Sequence, residues 1–570
     1  AGARAGGVAG AGDARRRLLF EAGTARTIYH YFRDPQPGAE NRISVMDTGL
    51  NLRYRASSTY ENWNNWNGHT RASMSYVTGT HSFRVGMDWH SVIEHDYERS
   101  NQSVNYTFRN GVPTSITLFA NPFEYRDRLN ADLGLYAQDQ WTLNRLTLNY
   151  GVRFDYVNAS VDEQHLPAGP YVTARDYAGV SCAICYTDIS PRLSLSYDPF
   201  GTGKTAIKAS FGGYVSGATR ARILNPVQNS VKTATRAWTD ANRDFIPQEV
   251  ELGPLSNNAF GGPIVNTNYA DDAHKGFHNR PYNWQSSAAV QHELLPGTAL
   301  TFGYYRTSWD NFTVTDNLSV TPGDFDPYCV TAPMDPRLPG GGGYEICGMY
   351  DVNPSKFGLQ DNLVVRPANF GDRSRVSNFF MLAIDARYSR GTLGANVDTG
   401  RTVENNCFVV DAPGVSTYTP ATFTATFYGV NNATTIGGKP LCKSVSPFKS
   451  NTQVKVFGSY QLPYNLVASA TLQNLSGIAV EAHAPIANSL IAPSLGRNLA
   501  ACGTRVPCTA TATVPLIAPF SMFEPRRTQL DVRLGKTFEL SEKVRLRANL
   551  DVYNVLNGNG VIRINPNRSE

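Results

Sequence analysis

The chain has 570 residues, 41% hydrophobic and only 17% charged, with 49 Gly and 33 Pro. A soluble domain carries roughly 25% charged residues, so the chain is charge-poor, yet its mean hydropathy of −0.32 and the lack of any apolar run near the roughly 18 residues of a spanning helix exclude a bundle of membrane helices. Its 11% aromatic content argues against disorder, and its net charge of +5 is spread along the chain rather than gathered into a basic face, Arg15-Arg16-Arg17 being the nearest approach, which argues against nucleic acid as a partner.

In chain order, the sequence reads as pairs of strands around short turns, separated by long polar segments. The first pair is Leu18–Arg33 with Ser44–Ala56, around Pro35-Gln-Pro-Gly38. Further tight turns fall near Thr78-Gly79, Leu143-Asn144, Pro199 to Gly203, Pro296-Gly297, Arg390-Gly391, Pro463-Tyr464 and Leu540-Ser541. Around these turns the side chains alternate with period two, as a strand with one apolar and one polar face requires. Leu146, Leu148, Tyr150, Val152, Phe154 and Tyr156 oppose Thr147, Asn149, Gly151, Arg153 and Asp155. Val544, Leu546, Ala548, Leu550 and Val552 oppose Arg545, Arg547, Asn549, Asp551 and Tyr553, and Leu530, Val532 and Leu534 oppose Asp531 and Arg533.

A soluble sandwich alternates as well. The connections decide: every second one is tight, while the others run about 97–128, 159–186, 217–281, 311–377, 404–449 and 479–525. Transmembrane antiparallel β-barrels have this asymmetry, with short periplasmic turns and long extracellular loops. The predicted fold is therefore an all-β transmembrane barrel occupying residues 1–570, with sixteen strands visible. Both chain ends then lie on the long-loop side, whereas a complete bacterial barrel has both on the short-turn side, so the barrel is expected to be incomplete at each end.

The eight cysteines fall as four local pairs, Cys182/Cys185, Cys329/Cys347, Cys407/Cys442 and Cys502/Cys508, each read as lying in a loop. That pattern predicts disulfides formed in an oxidising compartment. A redox motif at Cys182-Ala-Ile-Cys185 lacks the βαβ context it needs. Gly203-Lys204-Thr205 lacks the upstream Gly of a phosphate-binding loop, since position 198 is Asp. Asp271, Asp272, His274 and His278 are weak metal candidates, more simply read as solvated loop residues, so no metal and no cofactor are expected. Trp63, Trp66 and Trp238 are read as aromatics of long loops that could stack on a ligand or pack loop against loop. Arg153, Asp155, Asp531, Arg533, Arg545, Arg547 and Asp551 are expected to face the lumen, hydrating it or pairing with each other.

Several segments resemble the C-terminal barrel of TonB-dependent outer-membrane transporters, in the branch with an N-terminal carboxypeptidase-regulatory-like domain. They are Leu135-Tyr-Ala-Gln-Asp-Gln-Trp141, Leu146 to Tyr156, Ser190-Pro-Arg-Leu193 with Gly203-Lys-Thr205, and Leu550-Asp-Val-Tyr-Asn-Val-Leu-Asn557. The resemblance covers most strands from about Leu133 onward and few of the loops. It implies a barrel of about 22 strands, a plug domain, a TonB-type energy-coupling protein, outer-membrane lipid as surroundings, and import of a nutrient (saccharide, peptide or metal chelate) rather than enzymatic chemistry. The plug, the TonB box and a closing aromatic strand are not visible in this sequence. The rival reading is an adhesive or structural barrel acting through disulfide-braced extracellular loops.

Overall fold

The structure, a computed structural model, describes residues 2–13, 17–217, 225–262, 267–359, 361–416 and 434–564. Its main sheet has 18 strands, and setting aside the short Lys275–Phe277 and Lys443–Ser446 leaves sixteen long ones. These are β1 (Gly2–Asp13), β2 (Leu18–Arg33), β3 (Tyr60–Thr78), β4 (His81–Arg99), β5 (Phe123–Leu143), β6 (Leu146–Val161), β7 (Val180–Tyr197) and β8 (Thr205–Val215). They continue as β9 (Tyr282–Leu295), β10 (Thr298–Asp310), β11 (Ser374–Tyr388), β12 (Gly391–Asn405), β13 (Gln453–Leu462), β14 (Leu466–Leu475), β15 (Arg527–Glu539) and β16 (Arg545–Val552). Successive strands pair antiparallel, as in Tyr60↔Arg99 through Thr78↔His81 and in Val532↔Val552 through Glu539↔Arg545.

All seven later tight turns stand where the sequence places them. Their chemistry explains it: Gly79 (φ 56°) and Gly297 (φ 78°) adopt the left-handed region, and Tyr464 and Asn465 (φ 63° and 57°) do so in the β13–β14 turn. The first predicted pair is corrected. Leu18–Arg33 pairs with Gly2–Asp13, from Gly2↔His30 to Asp13↔Leu19, and not with Ser44–Ala56. Gly2–Asp13 is a Gly/Ala stretch with no apolar alternation, so neither period nor propensity marks it as a strand. Arg15 and Arg16 lie outside the described residues.

The chain divides into two compact units, one of residues 1–138, 152–190 and 216–280, the other of 139–151, 191–215 and 281–570. In the first, the residues read as the second strand instead join a loop sheet. Ser44–Asp47 and Leu52–Tyr54 combine with Val104–Arg109, Val112–Phe119 and Thr233–Ala237 into five strands. Val45, Val104, Phe108, Ile116, Leu118 and Trp238 form its core. A spanning strand needs about 9–11 residues, and β3, β4 and β5 have 19, 19 and 21. The excess shows as a change of phase along β6. Val152 and Phe154 are exposed, at 48% and 37%, whereas Val157, Ala159 and Val161 lie on the covered side in a core with Leu129, Ala183, Ile184 and Tyr186. Strand β7 repeats the change, with Ile189 exposed on one face and Ile184 and Tyr186 covered on the other.

In the second unit, one face of the sheet is apolar and exposed: Leu193, Ile207, Val290, Phe302, Leu382, Leu393, Leu534 and Leu550 are all exposed. A sheet stable in water covers such a face; one solvated by lipid leaves it bare. The opposite face carries Lys455, Gln473, Asp531, Arg533, Arg547 and Asp551.

Candidate functional site

Among the described residues, the long connections are folded structures with cores of their own. In the first unit, Asp47 ties two turns together: its Oδ1 accepts from the backbone of Gly49 (3.0 Å), Leu50 (3.1 Å) and Asn110 (2.9 Å), and Oδ2 from Gly111 (2.7 Å). Burial alone would push this carboxyl up, but the four N–H donors outweigh it and hold its pKa below the ordinary Asp value. Trp238 is 2% exposed, its ring edge-on to Tyr106 (centroids 5.1 Å) and Phe108 (6.0 Å). It is thus a core residue of the loop sheet, and stacking on a ligand is corrected for it. Trp63 and Trp66 lie on strand β3 rather than in a loop. Trp63 packs edge-on against Tyr29 (5.6 Å) and Trp66 against His30 (6.1 Å). An Asn-rich stretch repeats the local pattern of a polar loop while keeping the pairing of a strand, which is why the sequence misleads here.

The strands of this unit carry buried charge on their covered face. Arg153 Nε donates to Asp155 (2.8 Å) and its guanidinium reaches Asp88 (3.1 Å). Tyr125 donates to Asp96 (2.6 Å) and Asn225 to Asp127 (2.7 Å), whereas Arg128, on the face opposite Asp127, forms a part-exposed pair with Asp162 (2.8 Å). Asp188 is fully buried, 3.9 Å from His278. The weak metal candidates do not converge. Asp271 is held by Lys275 (2.8 Å), and His274 Nδ1 lies 3.0 Å from the carbonyl of Ala270. Among the described residues, the one group of three acidic, His or Cys ligand atoms within 4.8 Å of one another is Cys329, Glu345 and Cys347, and both its cysteines are in a disulfide.

In the second unit, the connections 311–373 and 476–526, with a part of 406–452, build a packed module. Strand Phe325–Thr331 pairs with Glu345–Val352, which in turn pairs with Thr435–Ile436, and a helix, α1 (Asn488–Leu495), follows His483–Ala487. Tyr328, Val330, Ile346, Met349, Ile491, Leu495, Val514 and Leu516 share its core. Burial pushes the Tyr328 phenol up to about 12. Arg497, absent from the sequence-level candidates, joins the connections. Its guanidinium pairs with Asp326 (2.8 Å) and Asp351 and donates to the carbonyls of Asp351 (3.2 Å) and Val352 (3.0 Å). No local sequence signal marks a partner 146 or 171 positions away.

All four cysteine pairs are joined as predicted: Cys182–Cys185, Cys329–Cys347, Cys407–Cys442 and Cys502–Cys508. The first lies on strand β7, a correction to its placement in a loop. Of the charges expected on the polar face, Arg533 pairs with Asp551, while Asp531 accepts from Gln529 (3.1 Å) and the backbone of Asn554 (2.8 Å). Arg545 and Arg547 project from the same face of the outermost pair, opposite Glu539 and Thr537.

Asp240-x-Asn242-x-Asp244 and Glu251 enclose a loop whose base is closed by the Trp238↔Leu252 bridge.

Residues 19–336 match the family described as "Outer membrane beta barrel domain". Among solved structures, the chain is similar to the outer membrane transporter YddB from Escherichia coli (12% identity, TM-score 0.49, covering 97% of this chain and 59% of that one). It is also similar to the ferric yersiniabactin uptake receptor FyuA from Yersinia pestis (9%, 0.44, 97% and 56%) and to BauA, the ferric preacinetobactin receptor from Acinetobacter baumannii (11%, 0.44, 97% and 58%). The chain therefore spans less than two thirds of the length of these proteins. No curated protein matches it.

Proposed function

Because the chain belongs to the outer membrane β-barrel domain family, we propose that it is the barrel of a TonB-dependent transporter, importing a nutrient (a saccharide, a peptide or a metal chelate) by plug-gated active transport. The observation that carries the reading is the two-faced sheet: bare apolar side chains such as Val290, Phe302 and Leu550 on one side, charge on the other. A barrel so built sits in lipid and encloses a polar lumen, and outer-membrane transporters of about 22 strands have that lumen plugged.

In this reading each part has one task. The loop modules, braced by Asp47, Arg497 and the disulfides, hold a nutrient-binding surface that does not have to be ordered on contact, which lowers the entropic cost of capture. Arg153, Asp155, Arg533 and Asp551 keep the lumen wall hydrated and supply fixed partners for a plug. The energy-coupling protein then biases the plug between closed and open positions, a change of population that makes and breaks no covalent bond, so the protein is not an enzyme.

The test is uptake by cells expressing the full gene, using labelled maltooligosaccharides, oligopeptides and ferric chelates. The expected result is accumulation of one class that stops when the TonB-type partner is deleted. Uptake that continues without that partner, as through an open pore, overturns the proposal.

A further inference from the structure

Residues 240–251 read Asp-Ala-Asn-Arg-Asp-Phe-Ile-Pro-Gln-Glu-Val-Glu. Numbered from Asp240, carboxylate or amide side chains stand at positions 1, 3, 5, 9 and 12. That is the ligand order of the twelve-residue calcium loop D-x-[DN]-x-[DN]-G-x₅-E, with the sixth residue changed from Gly to Phe.

The backbone follows the same loop. Phe245, in the glycine position, has φ 60°, the left-handed region a bulky side chain avoids. Asp240 Oδ2 accepts from the backbone N–H of Phe245 (3.2 Å), Asn242 Oδ1 from Asp244 (3.0 Å), and Asp244 Oδ1 from Ile246 (2.8 Å). Glu251 Oε1 accepts from the N–H of Ala241 (3.0 Å), folding position 12 back to the loop's start. These contacts order the loop and by themselves call for no ligand. One atom does: Asp240 Oδ1 is enclosed and has no hydrogen-bond partner. A carboxylate oxygen out of water and unpaired is costly, and a cation is the partner that relieves it without a donor hydrogen.

We propose that residues 240–251 form a calcium site, with Asp240, Asn242, Asp244 and Glu251 as side-chain ligands, the Ile246 carbonyl at the seventh position and Gln248 at the ninth. The carboxylates of Asp240, Asp244 and Glu251 do not converge within 4.8 Å as they stand, and two local rearrangements bring them together. Asp244 Oδ2 is engaged by the side-chain amides of Asn242 (2.9 Å) and Gln248 (2.8 Å), and each amide turns its oxygen inward as the cation arrives. Glu251 Oε2 accepts from Trp238 Nε1 (3.3 Å), and swinging toward the cation releases that bond. Trp238 is therefore a built-in reporter. The loop is clipped at its base by the Trp238↔Leu252 bridge rather than by two helices, so the cation locks a hairpin tip and drives no opening of helices. Phe245 weakens the site relative to a glycine loop, which places it with the extracellular class that binds at roughly 10⁻⁴–10⁻³ M.

The inference is independent of what the barrel transports. Its test is a titration of the full chain, folded in detergent micelles, with CaCl₂ and separately with MgCl₂ to about 10 mM, reading tryptophan emission and the thermal midpoint. Expected are a saturable calcium response in both readouts with little from magnesium, and loss of the emission change but not of the thermal shift in Trp238→Phe. Asp240→Asn is expected to weaken half-saturation about tenfold or more, since affinity follows ligand charge. Phe245→Gly, which removes the left-handed penalty along with the stacking of Phe245 on Phe108 (6.0 Å), is expected to tighten it about tenfold. No calcium response in either the wild type or Phe245→Gly overturns the proposal, as does an equal response to magnesium. An undiminished response in folded Asp240→Asn overturns it too, and if that variant does not fold, Phe245→Gly decides alone.

Discussion

Phe302→Arg measures what solvates the bare face of the sheet. Phe302 is 51% exposed on β10 and faces Val290 on one neighbour and Leu382 on the other, both exposed as well. It stands four residues above Thr298, where the strand begins. At about 3.4 Å per residue that is about 14 Å along the strand, or about 10 Å of height at a tilt of about 45°. An apolar band about 25 Å tall has its middle near 12 Å, so the new guanidinium arrives close to mid-depth and should cost about 2–4 kcal/mol. Thr301→Arg, one residue earlier and on the opposite face, should stay within about 0.5 kcal/mol of the wild type. The assay is urea unfolding of protein inserted in phospholipid vesicles, scored by the fraction keeping the folded gel mobility before boiling. In water, arginine at a half-exposed position is close to neutral. If Phe302→Arg and Thr301→Arg unfold within about 1 kcal/mol of each other, the face is not in lipid and the membrane assignment fails.

Three more expectations follow from the loops. Arg497→Met leaves Asp351 without its charge-assisted bonds and should cost about 1–3 kcal/mol, read as faster proteolysis between residues 326 and 351; unchanged cleavage would show that the pairing with Asp326 and Asp351 is not what joins those connections. Opening Cys407–Cys442, which closes 35 positions, should cost about 3–4 kcal/mol on the loop-entropy account, and alkylation before reduction should label no cysteine. For Asp47, the folded pKa is lowered, so its stabilisation is complete above the ordinary Asp value of 3.8 and is lost as pH falls through the folded value. Asp47→Asn should then be less stable than wild type at neutral pH, with the gap closing on acidification; a gap that widens in acid refutes the role given to its four N–H donors.

Strand pairs that expose one face to lipid and one to charge were readable from the sequence, because both solvents write the same period of two. Leu146 to Phe154 shows it, and so does the pairing of Arg533 with Asp551. The reading failed where the period lapses or changes owner. Gly2–Asp13 has too few side chains to show a face. Ser44–Asp47 alternates too, but for the core of a loop sheet rather than for lipid, and nothing local distinguishes the two. Trp63 sits among asparagines that look like a loop, and Trp238 sits in a loop that has its own core. Long-range partners such as Arg497 with Asp351 leave no spacing to read. The Asp240–Glu251 loop is the reverse case, a wholly local spacing in which a phenylalanine fills the glycine position.

The four cystines have a consequence for how such a chain reaches its destination. The bridges span 3, 18, 35 and 6 positions, and each closes inside one strand or one connection. None staples one strand of the main sheet to another; Cys329–Cys347 bridges the paired loop strands Phe325–Thr331 and Glu345–Val352 within a single connection. Oxidation therefore does not wait for assembly in the bilayer. Each bridge is able to form while the chain is in transit, and none of them ties one strand of the main sheet to another before the two have found their register.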